Sequence, residues 1–280
     1  MLQLQKKAQQ LIKHIAIILA FLLMLSSPVA AQDYDKGLAA YINEDYATAF
    51  KEWKPLAEQG LAIAQLNLGI MYSNGQGVLQ DYKEAVKWYK LAAEQGEAKA
   101  QSNLGNRYYY GEGVLQDYKE AAKWYKLAAE QGLAKAQHSL GVMYTNGWGI
   151  IQDYNEAVKW YKLAAEQGDA KAQHSLGVMY TNGWGIIQDY KEAVKWYKLA
   201  AEQGYAKAQS NLGLMYVLGQ GVIQDYVMAH LWLNIGATNG DELGGTNRDV
   251  IAEEMTSAAI EKAQAMARKC MESNYEECGY

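Results

Sequence analysis

A segment of 36 residues recurs five times along this chain without insertion or deletion, and no other feature of the sequence restricts the possible folds as strongly. The first glycine of a Gly-x-Gly pair marks the period, and it stands at Gly75, Gly111, Gly147, Gly183 and Gly219. One segment of this size cannot bury an apolar face by itself, so identical copies stack on one another. The period therefore predicts a solenoid of stacked repeats.

Each repeat predicts two helices. In QDYKEAVKWYKLAAEQG (Gln80–Gly96), Asp81 is placed to cap a helix, and Glu84 follows at the spacing of a capping box. Apolar residues then recur at helical spacing until Gly96, which is placed for a left-handed C-cap. The preceding helix has a glycine in its middle, which costs about 1 kcal/mol relative to alanine. We expect close approach of the partner helix to require it at Gly69, Gly105, Gly141, Gly177 and Gly213.

The Gly-x-Gly pair can be interpreted in two ways, as a phosphate-binding loop or as a turn. It follows a predicted helix rather than a strand, and no Lys-Ser/Thr comes after it, so a phosphate-binding loop is disfavoured. We predict a helix-ending turn in which the glycines adopt positive φ.

The chain opens with the features of a secretory signal peptide. A basic stretch precedes the 11-residue apolar run Ile15–Leu25, and Val29 and Ala31 occupy the small-residue positions of a cleavage site. The run is shorter than the roughly 20 residues that cross a bilayer. We expect residues 1–31 to be removed, leaving no transmembrane segment, and the mature protein, starting at Gln32, to be periplasmic or secreted. An uncleaved anchor is the alternative.

Charge and motif content argue against several functional classes. Without residues 1–31, which hold three lysines and no acid, the chain carries 23 basic and 31 acidic side chains, a net charge of −8. An acidic chain without a basic cluster is a poor nucleic-acid binder. No nucleophile–base motif is present, and His138 and His174, one repeat apart, lack the further ligands of a metal site. We expect no enzymatic activity, no cofactor, no metal and no nucleic acid.

The repeat resembles the Sel-one-like repeat (SLR) family, relatives of the tetratricopeptide repeats. The pattern AQxxLGxxYxxGxGVxxDYxxAxxWYxxAAxQG is matched in four repeats and mostly in the fifth. The resemblance implies an all-α, right-handed superhelix of about 13 helices whose first helices line the concave face. It also implies an adaptor that holds a partner protein or peptide, often exported in bacteria. The implied divisions are a signal peptide (1–31), an N-terminal capping helix pair (32–60), five repeats (61–96, 97–132, 133–168, 169–204 and 205–240), and a linker with a C-terminal capping helix (241–280).

The C-terminal end departs from the repeat. The second helix of the fifth repeat exchanges charged residues for apolar ones, among them Val227 and Leu231, and should contact a cap. We predict that Gly240–Asp249 is a glycine-rich linker and that a capping helix follows it. Cys270 and Cys278 are the only cysteines. They form either a disulfide, which an exported chain permits, or a buried and an exposed free thiol.

A candidate binding groove lies on the first helices. Positions opposite the buried stripe give Lys99, Asn103, Asn106 and Tyr110 in the second repeat. The matching set in the fifth repeat is Lys207, Asn211, Leu214 and Leu218. Arg107 stands where the other repeats have Met and is placed to contact a carboxylate of the partner. We predict that a short polar column hydrogen-bonds an extended peptide, and a solvated face without a ligand is the alternative. The column consists of Asn67, Asn103, Ser139, Ser175 and Asn211.

Two tryptophans form a second candidate site. Trp148 and Trp184 stand between glycines where other repeats have Gln or Glu, so their indoles should be exposed. Exposed tryptophan is enriched at binding hot spots, which suits contact with a partner side chain or a sugar ring. Packing onto a neighbouring repeat is the alternative. The predicted function is therefore a binding scaffold of the bacterial envelope, with an envelope enzyme or a glycan-binding protein as the alternative.

Overall fold

The computed structural model describes residues 28–279, with side chains from residue 33 onward, so most of the predicted signal peptide lies outside the described residues. Within this part the chain forms fourteen helices and no strand, which confirms the all-α repeat fold. Each repeat consists of a first helix and a second helix. The elements are α1 (Pro28–Ile42), α2 (Tyr46–Glu58), α3 (Ala62–Asn74), α4 (Tyr82–Glu94), α5 (Ala98–Tyr110), α6 (Tyr118–Glu130), α7 (Ala134–Asn146), α8 (Tyr154–Glu166), α9 (Ala170–Asn182), α10 (Tyr190–Ala201), α11 (Ala206–Leu218), α12 (Tyr226–Thr238), α13 (Glu242–Ala252) and α14 (Ser257–Glu272).

The chain divides into two compact units, which we describe separately. The N-terminal unit ends at Trp124 and the C-terminal unit begins at Tyr125. The C-terminal unit contains the first helices α7, α9 and α11 with their second helices α8, α10 and α12, followed by α13 and α14. None of the helices in residues 28–279 has the length and apolar character needed to cross a membrane.

Three of the mid-helix glycines sit where a tyrosine ring of the second helix packs, and a fourth, Gly213, sits against Leu233. A β-carbon built on Gly141 or Gly177 would lie 2.6 Å from ring carbons of Tyr161 or Tyr197. In the N-terminal unit, Gly69 meets the Tyr89 ring in the same way. The predicted close approach is confirmed, because no larger residue leaves room for the ring.

Buried glutamines join neighbouring repeats. The side-chain amide of Gln173 donates to the carbonyl of Ala165 at the end of the preceding second helix (3.2 Å), and its own oxygen accepts from Gln203 at 2.8 Å. Gln137 repeats this with Ala129 and Gln167. Since an unpaired buried amide is costly, each glutamine fixes the register of one repeat on the next.

The Gly-x-Gly turn contacts the previous repeat through its backbone. Gly183 and Gly185 adopt φ of 69° and 65°, as predicted for a helix-ending turn. A β-carbon on Gly185 would overlap the carbonyl group of Tyr154, the first residue of α8. The second glycine therefore serves two purposes, a left-handed backbone and direct backbone contact.

The second helices are capped by half of the predicted capping box. The Asp81 carboxylate accepts from the backbone N–H groups of Lys83 and Glu84. The Asp81 N–H, however, donates to the carbonyl of Tyr72 at 2.9 Å, and the Glu84 carboxylate lies 3.2 Å from Lys87 Nζ. The turn from the first helix thus supplies the acceptor that a glutamate provides in a full capping box.

The structure corrects the predicted linker at Gly240–Asp249. Residues Glu242–Ala252 form helix α13, which raises the helix count above the expected number. A β-carbon at Gly236 of α12 or at Gly244 of α13 would overlap the Ser210 hydroxyl. These glycines allow close packing around Ser210, which outweighs their poor helix propensity. At the other end α1 begins at Pro28, four residues before the predicted start of the N-terminal capping helix pair at residue 32.

The apolar second helix of the fifth repeat contacts the cap, as predicted. Met228, Leu231 and Ile235 share a buried cluster with Ala267 and Cys270 of α14. The structure joins Cys270 and Cys278 in a disulfide, and both side chains are buried.

The bridged tail positions one tyrosine. Asn239 of the fifth repeat donates to the Tyr275 hydroxyl at 2.8 Å. The same ring lies against Gly204, at the end of the fourth repeat. The tail after α14 thus closes over the last two repeats.

Candidate binding face on the first helices

Each first helix of the C-terminal unit presents one accessible strip. On α7 the exposed or half-buried positions include Lys135, Ser139, Val142 and Asn146, which follow one another along one side of the helix. The strips on α9 and α11 occupy the same positions. We call the three strips together the first-helix face; its remaining members are Lys171, Ser175, Val178 and Asn182 on α9 and Lys207, Asn211, Leu214 and Leu218 on α11.

Side-chain contacts bring these strips next to one another. The Asn211 amide lies 3.1 Å from His174 Nε2, which links α11 to α9. The His174 ring also meets Tyr205 edge-on, with 5.2 Å between ring centroids. The charge of Lys171 on α9 likewise acts on His138 of α7, so α7 lies beside α9 as well. The three strips therefore form one continuous surface.

The polar column has an internal role. Burial raises the pKa of the Tyr197 hydroxyl, and hydrogen bonds from Thr181 and Asn211 oppose this shift. Tyr161 is held in the same way by Thr145 and Ser175. Ser175 and Asn211 thus hydrogen-bond buried tyrosine hydroxyls, which leaves only their remaining capacity for a ligand.

The N-terminal unit repeats this arrangement. The Asn67 amide donates to the Tyr34 hydroxyl at 3.3 Å, and Asn103 hydrogen-bonds the hydroxyl of Tyr89. Asn106 is half-buried, whereas Tyr110 is 63% exposed and packs edge-on against the neighbouring tyrosine.

Arg107 has a carboxylate partner within the chain. Its guanidinium lies 2.5 Å from Glu112 and over the ring of Tyr82, with 5.1 Å to the ring centroid. A carboxylate from a ligand would have to displace Glu112, so the sequence position alone overstated the availability of this arginine.

The two loop tryptophans are partly exposed, 36% for Trp148 and 42% for Trp184. Trp184 stacks on Tyr154 of the preceding repeat, with 5.5 Å between ring centroids and 17° between ring planes. Because this stacking covers one face of the indole, packing between repeats accounts for part of the role of Trp184.

The histidines of the face are neutral at pH 7. Burial, reinforced by the charges of Lys207 and of protonated His138 and opposed by Asp241, lowers the pKa of His174 to about 4. Burial also lowers the pKa of His138, with Asp169 opposing and Lys171 reinforcing the shift. No group of three or more potential metal ligands occurs among the residues that the structure describes.

The sequence prediction missed two features of this face. The histidines lie beside the predicted column rather than in the core, and the lysine position recurs as Lys135 and Lys171 between the predicted Lys99 and Lys207. The lysines could have been predicted from the sequence, because Lys135 and Lys171 follow Lys99 at the fixed 36-residue step. No local sequence pattern predicts the histidine contacts, because they form between helices of different repeats.

Comparison with known proteins identifies the repeat. The Sel1 repeat model matches residues 62–97, 98–133, 134–169, 170–205 and 206–241. A crystal structure of a Sel1 repeat protein from Oxalobacter formigenes is 33% identical with a TM-score of 0.76, over 86% of this chain and 96% of that chain. A protective antigen of uropathogenic Escherichia coli strains with an SLR fold is 35% identical with a TM-score of 0.76, over 91% of this chain. The match spans only 56% of that antigen's length. No match is found among curated proteins.

Proposed function

Because this chain belongs to the Sel1 repeat family, we propose that it is a non-enzymatic scaffold that binds a peptide or a segment of a partner protein on its first helices. Sel1 repeat proteins are generally non-catalytic scaffolds, and they typically mediate protein interactions. The observation that carries the proposal is the continuous first-helix face, whose members are exposed or half-buried. At its α11 end, Leu214 packs against a cluster that contains Ile251 of α13.

The chemistry of the face suits an extended segment. Ser139, Ser175 and Asn211 repeat at a fixed step, and so do the half-buried apolar residues Val142, Val178 and Leu214. An extended chain offers backbone hydrogen-bonding groups and alternating side chains, so it uses both rows at once. The half-buried apolar row supplies contact area, while the polar row sets the orientation of the segment.

We further propose that the protein acts in the bacterial envelope, in the periplasm or outside the cell. The support is the signal-peptide pattern of residues 1–31 and the disulfide between Cys270 and Cys278, a bond that persists in oxidising compartments. Mass spectrometry of the protein from a cell fractionation would test this. An N-terminus at Gln32 in the periplasmic or secreted fraction is expected, and a cytoplasmic full-length chain would contradict it.

Selection of short random peptides by display on the full protein tests the binding function. The tightest peptides are resynthesised with a photo-cross-linking residue, and the cross-linked positions are mapped by mass spectrometry. We expect cross-links on the first-helix face, at the exposed ends of α7, α9 and α11. Cross-links confined to the second helices α8 and α10, or failure to select any peptide, would overturn the proposal.

Glycan binding is the less supported alternative. Trp184 already stacks on Tyr154, so only one face of that indole is left for a sugar ring. Substitution of Trp184 by Gln, the residue at this position in the first and fifth repeats, should lower thermal stability more than it lowers affinity for a selected peptide. A large loss of glycan or peptide binding without a loss of stability would favour the tryptophan site instead.

A further inference from the structure

The first helices carry charge of one sign. The five first helices α3, α5, α7, α9 and α11 contain no aspartate or glutamate, although acids outnumber bases in the whole chain. Their basic residues are Lys99, Arg107, Lys135, Lys171 and Lys207. In contrast, the second helices α8 and α10 carry both signs, as in the ion pairs of Lys159 with Glu156 and of Lys195 with Glu192, each at 3.2 Å.

Three of these lysines form a row on the first-helix face. Lys135, Lys171 and Lys207 are exposed, and none forms an ion pair within the described part of the chain. Lys171 and Lys207 act on His138 and His174 of the preceding repeat, which places the row along the same continuous surface. The row therefore follows the direction in which an extended segment would cross the helices.

Helix stability does not explain these lysines. Each occupies the first turn of its helix, where the helix dipole disfavours a positive charge. The first repeat has Ile63 at the same position, so the fold does not require a charged residue there. A position that is mildly unfavourable for folding and yet carries lysine in four repeats fits a role in recognition.

Two acidic residues act electrostatically on residues of this face. Asp169 and Asp241 influence the pKa values of His138, His174 and Tyr205. Both stand at helix N-cap positions, where the positive end of the helix offsets their charge. The row of three lysines consequently remains the dominant charge on the first-helix face.

We propose that the first-helix face selects an acidic peptide segment, with carboxylates along the Lys135–Lys171–Lys207 row and apolar side chains over Val142, Val178 and Leu214. This inference rests on the proposed function and adds the chemical class of the ligand. Complementary charge mainly orients the bound segment and excludes basic segments, and it adds less to the affinity itself.

The peptides obtained by display on the full protein provide the test. We expect Asp and Glu to be enriched about threefold over the starting library, since the lysine row attracts acidic segments and repels basic ones. The best peptide is then measured by fluorescence anisotropy beside a version in which every Glu and Asp is replaced by Gln and Asn. Exposed ion pairs each change affinity by a factor of roughly 2–5, so the amide version should bind about tenfold more weakly.

A matched pair of variants assigns the effect to this row. The triple variant Lys135→Gln/Lys171→Gln/Lys207→Gln should bind the acidic peptide about tenfold more weakly than the wild type does. Its affinity for the amide peptide should be nearly unchanged. The control, Lys126→Gln/Lys162→Gln/Lys262→Gln, removes three exposed lysines from other helices with the same change in net charge. It should stay within about twofold of the wild type, because distant exposed charges are screened by salt.

The outcomes separate the two proposals. Peptides that cross-link to the first-helix face but are neutral or basic overturn the acidic preference and leave the binding function standing. Equal losses in the two lysine variants also overturn it, because the effect would then follow net charge alone. If no peptide binds the first-helix face, both proposals fail together.

Discussion

Single residues in this protein are constrained mainly by the helix that faces them, and Gly177 shows this directly. Alanine normally favours a helix by about 1 kcal/mol over glycine. At Gly177 the added methyl group would lie 2.6 Å from the Tyr197 ring, and overpacking of this kind costs roughly 1–3 kcal/mol. We expect Gly177→Ala to lower the midpoint of thermal unfolding measured by circular dichroism.

Gly245 in α13 provides the control for this substitution. A β-carbon there would meet only the Ala237 β-carbon, at an ordinary 3.6 Å. Gly245→Ala should therefore leave the midpoint unchanged or raise it. Similar effects of the two substitutions would contradict the steric explanation.

The half-buried histidines His138 and His174 predict a loss of stability in acid. The pKa of His174 is about 4 in the folded protein, against an ordinary value of 6.5. Between these values the unfolded chain binds a proton that the folded chain excludes, so stability falls as the pH drops through this window. The loss amounts to no more than about 3 kcal/mol, and the lowered pKa of His138 acts in the same direction.

Serine occupies the corresponding position in the second and fifth repeats, as Ser102 and Ser210. The variant His138→Ser/His174→Ser should therefore keep the fold and lose less stability than the wild type between pH 7 and pH 4.5, measured by urea unfolding at each pH. The carboxylates titrate in both proteins. The difference between their losses of stability therefore reports the contribution of the two histidines alone. Parallel losses would argue against this origin of the acid sensitivity.

At the scale of the helix and the turn, the second glycine of each Gly-x-Gly pair is the least replaceable residue. Gly185→Ala would combine a strained φ of 65° with overlap on the Tyr154 carbonyl. Gly168 has φ of 90° but no atom within 4 Å of an added β-carbon. We expect Gly185→Ala to cost clearly more than the roughly 1 kcal/mol of Gly168→Ala, as measured by chemical denaturation.

The C-terminal tail gives a separate prediction at this scale. Reduction of the Cys270–Cys278 disulfide should free Tyr275 from Asn239 and Gly204 and so expose the end of α12. We expect a lower thermal midpoint in reductant, and faster hydrogen exchange in α12 and α14 than in α8. A Cys270→Ala/Cys278→Ala variant should be insensitive to reductant, and unchanged exchange in the wild type would show that the tail does not support the last repeat.

Local patterns predicted most of these elements, and contacts between elements account for what the patterns missed. The Asp81 cap, the mid-helix glycines and the positive φ of the loop glycines each follow from spacing along one repeat. Helix α13 was missed because Gly244 and Gly245 are poor helix formers, and only the structure shows that Gly244 packs against Ser210. The Arg107–Glu112 pair was missed because sequence alone does not show which carboxylate a side chain reaches.

At the scale of the whole molecule, equivalent repeats predict that one of them can be removed. Residues 133–168 and 169–204 differ at only two positions and make the same glycine–tyrosine and glutamine contacts. Stability in such proteins is close to a sum over repeats and their interfaces. Deletion of residues 169–204 should therefore give a shorter protein that still unfolds cooperatively, with a modestly lower thermal midpoint.

The control deletes residues 169–186, which removes α9 and leaves α10 without its first helix. That protein should expose the apolar side of α10, including Tyr197, and should aggregate or lose helicity. Aggregation of the full-repeat deletion as well would mean that the repeats are not equivalent.

The turn in which Gly185 rests on the Tyr154 backbone has a consequence for the gene. The contact uses a main-chain carbonyl, so it depends little on the side chains of the repeat on which it rests. Unequal crossing-over between two nearly identical coding segments inserts or removes a whole repeat in frame, and the new junction inherits a working interface. Each such event would also add or remove one lysine of the row. We expect strains that carry this gene to differ in repeat number, and long-read sequencing of isolates would count the copies.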